Sequence, residues 1–365
     1  MKYIILTLFP FLFTMVVNAQ DFYVGTYTKT TSEGIYHLNL DAKKGTVSLI
    51  NLAAKSVEPS YVAFSKDHKY VVAVNEISDS KAKNKDGEVS LFTVDKSTGN
   101  LTFINKVPSG GAHPCYVSLD ENNTVFVANY SGGNVGVFQI KDGLLAPHHQ
   151  VIQYEGKGPN KQRQEAAHAH FAHFDPKQKE VFTVDLGNDI VHVYGVEEGR
   201  LTEKTTVEVA KGSGPRHVNF SSDRKVMYVL NELTCTISIF NQVTEDAYAM
   251  AGEITTLPKS FDGKNTCAAI KVSKDGKYLY ASNRGHNSIA MYKIDKGTGL
   301  LTNIGYAKVH GDSPRDFSFS PKEDYVVVAN QVSNNVVVLK RDKKTGILTY
   351  SSELEVPQPV NIIFF

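Results

Sequence analysis

Hydrophobic and polar residues alternate along most of this chain in short runs, separated by turns that carry Gly, Asn, Asp or Thr. Alternation with a period of two places successive side chains on opposite faces of a β-strand. Asn134 to Phe138 is one such run, and Thr98 to Thr102 shows the Thr-Gly turn that precedes another. No long helical pattern interrupts these runs, so the sequence predicts an all-β protein.

One short segment recurs seven times, has Pro at its second position in five copies, and always ends apolar–x–apolar. The seven segments are Glu58–Phe64, His113–Leu119, His168–Phe174, Gly214–Phe220, Thr266–Val272, Ser313–Phe319 and Gln358–Phe364. Their last residues are 45 to 55 positions apart, close to the period of roughly 40–50 residues that β-propeller blades show.

Each segment reads as the first strand of a four-stranded unit. A charged turn follows most copies, and a second strand then ends in Asn or Asp, at Asn75, Asn129, Asp185, Asn231, Asn283 and Asn330. Third and fourth strands complete the unit, which describes a propeller blade. The sequence therefore predicts a seven-bladed β-propeller.

The two ends of the chain supply complementary parts of one blade. Residues Phe22–Gly25, Gly34–Leu40 and Thr46–Asn51 look like second, third and fourth strands, whereas Pro359–Phe365 looks like a first strand. Pairing the N-terminal strands with the C-terminal strand would close the ring and leave no free strand edge. We expect one propeller domain over 20–365, and a closed ring favours a monomer.

The N-terminus has the plan of a secretory signal peptide. Lys2 precedes an apolar run from Tyr3 to Val17, and Val17-Asn18-Ala19 offers a cleavage site with small residues. The apolar run is short for a membrane span, which needs about 20 residues. We therefore expect a signal peptide over 1–19, no membrane span in the mature protein, and a periplasmic or secreted location.

The overall charge argues against one class of partner, and the spacing of the cysteines argues against two kinds of motif. The chain has 39 Lys and Arg against 38 Asp and Glu, and this balance argues against a nucleic-acid partner. Cys115, Cys235 and Cys267 are far apart and form no zinc-ribbon or dithiol motif. Their apolar settings suggest buried thiols, although one pair could bridge in an oxidising compartment.

Candidate functional residues are those where one blade departs from the others. The residue after the Pro position is, in order, Ser60, Cys115, His170, Arg216, Ala268, Arg315 and Val360. The residue after the second strand is Glu76, Tyr130, Leu186, Glu232, Arg284 or Gln331. If both positions open on one face, then His170, Arg216, Glu232 and Arg284 converge near the ring axis.

These four residues form a chemically useful set. A His and a Glu can perform acid–base catalysis, and two Arg can hold an anion or a developing oxyanion. The alternative is that the Arg and Glu residues form only structural ion pairs. His168 and His170 share a strand face while His173 points the other way, which makes at most a partial metal site. We therefore expect no metal.

Several motifs together resemble those of the propeller lactonases typified by 6-phosphogluconolactonase, with carboxymuconate cyclase as a relative. They are Tyr23–Tyr27, His113–Val117, Ala128–Tyr130, His168–His170, Gly214–His217, Leu230–Glu232 and Ser282–Gly285. The resemblance implies a catalytic set of His170, Arg216, Glu232 and Arg284, with no metal or organic cofactor. It also implies a lactone or acidic sugar as substrate. As residues that help to bind the substrate we expect His113, His168 and Arg315.

Two features separate this chain from the family pattern and leave alternatives open. The predicted signal peptide places the protein where 6-phosphogluconolactone is not expected to form, and Ala169 replaces the Pro of the third repeat. A carboxymuconate cyclase-like enzyme that forms lactones remains one alternative. A non-catalytic exported propeller for binding or adhesion is another, and a metal-dependent gluconolactonase type of propeller is a third.

Overall fold

The computed structural model describes residues 19–78 and 85–365. The predicted signal peptide lies outside the described residues apart from Ala19, where the first strand begins. In the two described ranges, no helix has the length and apolar character needed to cross a lipid bilayer. All 29 elements in these ranges are β-strands, arranged in seven antiparallel sheets, which confirms the predicted seven-bladed propeller.

We number the blades 1 to 7 from the first complete repeat. Blade 1 comprises β4 (Tyr61–Phe64), β5 (Tyr70–Asn75), β6 (Glu88–Val94) and β7 (Leu101–Pro108). Blade 2 comprises β8 (Pro114–Leu119), β9 (Thr124–Asn129), β10 (Asn134–Lys141), β11 (Leu144–Leu145) and β12 (Gln150–Gln153). Blade 3 comprises β13 (Ala169–Asp175), β14 (Glu180–Asp185), β15 (Ile190–Glu197) and β16 (Arg200–Glu208). Blade 4 comprises β17 (Pro215–Phe220), β18 (Val226–Asn231), β19 (Thr236–Thr244) and β20 (Ala247–Thr255).

The remaining blades complete the ring. Blade 5 comprises β21 (Thr266–Val272), β22 (Tyr278–Arg284), β23 (Ser288–Ile294) and β24 (Leu301–Lys308). Blade 6 comprises β25 (Pro314–Phe319), β26 (Tyr325–Asn330), β27 (Asn335–Arg341) and β28 (Leu348–Glu355). Blade 7 comprises β29 (Pro359–Phe364), β1 (Ala19–Thr26), β2 (Gly34–Asp41) and β3 (Thr46–Lys55).

Blade 7 joins the two ends of the chain. Strand β29 pairs antiparallel with β1, so that Phe22 lies opposite Phe364 and Val24 lies opposite Ile362. This pairing confirms the predicted closure. It also gives the inner edge of β1 a hydrogen-bonded partner, so β1 does not present an open edge there.

Blade 2 differs from the other six in its outer strand. Strands β11 and β12 both pair with β10, and Ala146–His149 lies between them. Pro147 lies in this interruption and has no amide hydrogen to donate to a sheet. The repeat pattern predicts a single fourth strand in each blade, and blade 2 departs from it at this break.

The hydrophobic core lies between neighbouring blades. The second strands β5, β9, β14, β18 and β26 are buried along their whole length. Side chains of one blade pack against those of the next, as Phe182 of blade 3 packs against Phe220 of blade 4. A strand that is covered on both faces has a nearly continuous apolar sequence, as strand β26 (Tyr325–Asn330) does.

The recurrent Asn at the end of the second strand holds the connection from the preceding blade. The Nδ2 of Asn129 donates to the carbonyl of Ser109 at 3.0 Å, and that of Asn330 donates to the carbonyl of Val309, also at 3.0 Å. Asn283 makes the equivalent bond to Thr256. These side chains are fully buried, so they have a structural function, as the recurrence of Asn in most blades predicts.

Candidate active site

A β-bulge that skips one residue near the start of the first strand recurs in five blades. In blade 7 the pairing skips Val360, and the other four copies are in blades 2, 3, 4 and 6. The pairing between first and second strands skips one residue after Pro114, Ala169, Pro215 and Pro314. The skipped residues are Cys115, His170, Arg216 and Arg315. A bulged residue has no ladder partner, and its side chain is turned out of the regular alternation. The sequence positions that vary most in chemistry are therefore those that the sheets leave unpaired.

The start of each first strand lies beside the end of its second strand. Pro215 is opposite Asn231, and Ala169 is opposite Asp185. The bulged residue and the residue after the second strand consequently open on the same end of the ring. Nine side chains from these positions and one connection line a cavity of about 240 Å³: Tyr27, Glu76, Cys115, Tyr130, Arg163, His170, Glu232, Arg284 and Arg315.

Glu232 is the most heavily paired group in this region. Its carboxylate is 3% exposed. Oε2 lies 3.0 Å from Arg284 Nη2 and 3.0 Å from Arg216 Nε, while Oε1 accepts a hydrogen bond of 2.6 Å from Arg163 Nη2. The Arg216 contact lacks the alignment of a hydrogen bond and is an ion pair.

These arginines fix the charge of Glu232. Burial alone would raise the pKa of the carboxyl group, but Arg284, Arg216 and Arg163 outweigh it and lower the pKa to about 2. Burial and the neighbouring charge of Arg284 also lower the pKa of Arg216, to about 10. At neutral pH the cluster therefore holds one carboxylate among three guanidinium groups.

Arg216 lies behind Glu232 and not in the cavity lining. Its side chain is 3% exposed, and Nη1 donates to the carbonyl of Ala268 and lies 3.3 Å from His217 Nε2. Arg284 reaches the cavity and also donates from Nη2 to the carbonyl of Cys267 at 2.8 Å. The two arginines thus hold Glu232 from different sides, and Arg284 is the one exposed to a ligand.

His170 reaches the same cavity as a neutral base. Its Nδ1 lies 3.8 Å from Cys115 Sγ, and its ring meets the ring of Tyr130 edge-on at 5.5 Å. Burial, followed by the positive charges of Arg216 and Arg315, holds the pKa of His170 well below its usual value. Because a neutral imidazole can accept a proton, His170 is in the state that base catalysis requires.

A second charged cluster forms the opposite wall. Tyr27 Oη donates to Glu76 Oε2 at 2.8 Å, and Arg315 Nη2 lies 3.7 Å from the same oxygen. The Arg315 guanidinium also lies over the Tyr27 ring at 5.1 Å. With Arg216 included, the site holds four Arg and two Glu, so with His170 neutral it carries an excess of two positive charges and suits an anionic ligand.

The structure brings some of the predicted residues together and leaves others apart. His170, Glu232, Arg284 and Arg315 line the cavity. His113 and His168 belong to neighbouring structure: His113 Nδ1 is 2.8 Å from Ser131 Oγ, and His168 stacks on Tyr130 at 4.4 Å between ring centres. His168 therefore supports a lining residue, and His113 lies in the adjoining turn.

Several lining residues are not among the predicted site residues, for different reasons. Glu76 and Tyr130 follow the second strands of blades 1 and 2, as Glu232 does in blade 4, and of these three only Glu232 was predicted. Tyr27 occupies the same position in blade 7, since Thr26 is opposite Pro359 as Asn231 is opposite Pro215. Arg163 belongs to the connection between blades 2 and 3, which has no counterpart in other blades. Among residues 19–78 and 85–365, no three His, Cys, Asp or Glu side chains are grouped to hold a metal ion.

Comparisons of the sequence and of the structure with known proteins point to the same family. A family model described as "Lactonase, 7-bladed beta-propeller" matches residues 21–364. A 6-phosphogluconolactonase of Bacillus subtilis is 38% identical over 308 residues, covering 84% of this chain and 86% of that protein. A Lactobacillus plantarum protein of known structure superposes with a TM-score of 0.88 at 33% identity, covering 95% of this chain and 99% of that one.

A further solved structure carries a functional description. The periplasmic gluconolactonase PpgL of Pseudomonas aeruginosa superposes with a TM-score of 0.87 at 31% identity, covering 95% of this chain and 99% of that one. The match of the family model over nearly the whole described chain, together with these relatives, shows that this chain belongs to the seven-bladed β-propeller lactonase family.

Proposed function

We propose that the protein hydrolyses a sugar lactone by general acid–base catalysis that needs no metal. The observation that carries the proposal is the presence of a neutral His170, an ionised Glu232 and Arg284 around one cavity. The relatives named as lactonases support the reaction class. The cavity of about 240 Å³ has room for a ligand of the size of a single sugar ring.

His170 is the group that moves the proton. It accepts a proton from water as the water oxygen attacks the lactone carbonyl carbon, and the carbonyl oxygen becomes an oxyanion. The resulting imidazolium then gives that proton to the ring oxygen as the carbon–oxygen bond of the ring breaks. The product is the open-chain hydroxy acid, and His170 is neutral again.

Arg284 and Glu232 supply the electrostatic part of the reaction. Arg284 stabilises the oxyanion, and Glu232 supplies a negative charge to the same cavity when His170 becomes an imidazolium. Arg216 acts as a positioning residue, because it holds Glu232 from behind and does not line the cavity.

An acidic sugar lactone is the substrate class that fits best. The excess of positive charge in the site favours an anionic substituent, and the 6-phosphogluconolactonase relative is named for a phosphorylated lactone. The predicted signal peptide and the periplasmic relative support a periplasmic or secreted location, which would make extracellular or periplasmic lactones the available substrates.

Hydrolysis of gluconolactone and 6-phosphogluconolactone in a pH-stat, after treatment with a chelator, tests the proposal. We expect turnover to survive chelation and to fall about 10²–10⁴-fold in His170→Gln, since this is the usual contribution of a general acid–base group. The matched control is His149→Gln, which removes an exposed imidazole at the outer edge of blade 2. No turnover by the native protein, or full turnover by His170→Gln, would contradict the proposal.

A further inference from the structure

The three arginines around Glu232 are anchored unequally. Arg216 is almost completely buried and also bonds to a backbone carbonyl, as does Arg284. The side chain of Arg163 is 36% exposed, and its contact besides Glu232 is a hydrogen bond of 3.2 Å to the Tyr130 hydroxyl. Arg163 is therefore the guanidinium that can leave Glu232 at the lowest cost.

The backbone next to Arg163 is fixed by hydrogen bonds, whereas the Arg163 side chain is partly exposed to solvent. The amides of Arg163 and Gln164 both donate to the carbonyl of Asn160, at 3.2 and 2.7 Å. The buried side chain of Gln164 donates to Asp189 Oδ1 at 2.7 Å and to the carbonyl of Leu186 at 2.9 Å. A side chain on such a support can change partner by rotating its own bonds, without movement of the connection.

We infer that Arg163 is a specificity residue that exchanges Glu232 for an anionic substituent of the substrate, such as a phosphate or carboxylate group. The inference rests on the proposed function for its substrate class. Charge balance gives the reason: the site already carries excess positive charge, and an incoming anion offers Arg163 a charged oxygen in place of Glu232 Oε1, with a second oxygen for bidentate binding.

The exchange leaves Glu232 correctly placed. Arg284 and Arg216 still hold Oε2, while Oε1, which Arg163 covers in the free protein, becomes available. A neutral lactone offers no partner to Arg163 and leaves Oε1 covered. An anionic lactone would therefore be selected by the same movement that uncovers the carboxylate beside the reacting groups.

A double-mutant cycle measured by calorimetric binding tests the exchange. The probes are 1,5-anhydroglucitol and its 6-phosphate, which share one ring, cannot be hydrolysed and differ only in the anion. The proteins are the native chain, Arg163→Gln, Glu232→Gln and the double variant. We expect Glu232→Gln to tighten binding of the phosphate at least tenfold, because Arg163 no longer has a competing carboxylate.

In the Arg163→Gln background the same substitution should change the affinity for the phosphate less than threefold, and the neutral probe should show no such coupling. Equal tightening in both backgrounds would overturn the inference, because it would mean that Glu232 acts on the ligand without Arg163. Arg163→Lys, which keeps the charge, should retain part of the coupling. Lys161→Gln removes an exposed charge from the same connection and should leave the coupling intact.

The cycle depends on binding and not on turnover. If the native protein hydrolyses no lactone but the coupling is present, the proposed function fails while the partner exchange of Arg163 stands. If lactones are hydrolysed and the coupling is absent, the reverse holds. Thermal unfolding of each variant, followed by circular dichroism, establishes that the compared proteins are folded.

Discussion

Glu232 and His170 share two charged neighbours, Arg216 and Arg284. These guanidinium groups, with Arg163, lower the pKa of the Glu232 carboxyl to about 2, and they add to burial in lowering the pKa of the His170 imidazole. A carboxyl group becomes an anion under this influence, whereas an imidazole remains neutral. Arg216 and Arg284 therefore favour both a fixed negative charge and an unprotonated base in the lining of one cavity.

Arg315 allows a test of the wall opposite Glu232. We expect Arg315→Gln to raise KM for 6-phosphogluconolactone about tenfold with a smaller change in kcat, because a charge-assisted contact to an anion contributes about 1.5–3 kcal/mol. Steady-state kinetics with gluconolactone, which lacks the anion, should show a smaller rise in KM. Arg200→Gln, which removes an exposed guanidinium at the outer edge of blade 3, serves as control. An equal rise for both lactones would contradict the assignment.

The residues that can be predicted from sequence are those with counterparts in other blades. His170, Arg216, Glu232 and Arg284 occupy two repeat positions whose side-chain chemistry changes from blade to blade, which indicates a function other than building the sheets. Arg163 could not be found in this way, since the connection that carries it has no equivalent. That Arg216 lies behind Glu232 also could not be predicted, because repeat position does not specify how far a long side chain extends.

At the scale of single elements, strand alternation predicted the sheets but not the bulges. A period of two assigns His168 and His170 to one face, yet the register skips His170. The bulge is a feature of the backbone pairing, and the pattern of hydrophobic side chains does not predict it. The buried Asn at the second-strand end was predictable as a structural residue, because it recurs irrespective of the chemistry around it.

Asn330 tests that structural assignment. We expect Asn330→Ala to lower the free energy of unfolding by about 1–3 kcal/mol, because the carbonyl of Val309 and neighbouring groups lose a buried hydrogen-bond partner. Urea unfolding measures the change. Asn51→Ala, which removes an exposed side-chain bond to Asn100, should alter stability by no more than about 0.5 kcal/mol. Equal effects would contradict the structural assignment.

At the scale of the whole molecule, the inner strands of blades 3 and 4 carry two buried imidazoles, His170 and His217, and the partly buried imidazole of His173. Burial comes first among the causes that lower the pKa values of His170, His173 and His217, and for His173 the value is about 4. In the unfolded chain a His has a pKa near 6.5. Below that pH the unfolded state binds protons that the folded state does not, so the free energy of unfolding decreases as pH falls.

The size of this effect follows from the linkage relation. Each of the three imidazoles should lower the free energy of unfolding by about 1.4 kcal/mol per pH unit below about 6.5. Together they should lower it by about 4 kcal/mol at pH 5.5 relative to pH 7.5. Denaturant unfolding at pH 7.5 and 5.5 measures the difference. His173→Gln should remove about a third of the pH dependence. An unchanged dependence in this variant would show that other groups are responsible.

The ring closure was predictable because the chain ends were incomplete in complementary ways. The strands Phe22–Gly25 and Pro359–Phe365 each lacked what the other supplied, and β1 and β29 pair as this required. The divided outer strand of blade 2 does not follow from the repeat, because the interruption that contains Pro147 belongs to this blade alone among the described ones.

The bulged residues have one consequence for how such a protein can change. Because Cys115, His170, Arg216 and Arg315 have no partner in the ladders, exchanging one of them replaces a reactive group without altering the hydrogen bonds that build its blade. The side chains at these positions can therefore change while the sheets that carry them remain the same. One architecture can then host ring opening, ring formation or simple ligand capture, with the difference residing in a few interchangeable side chains.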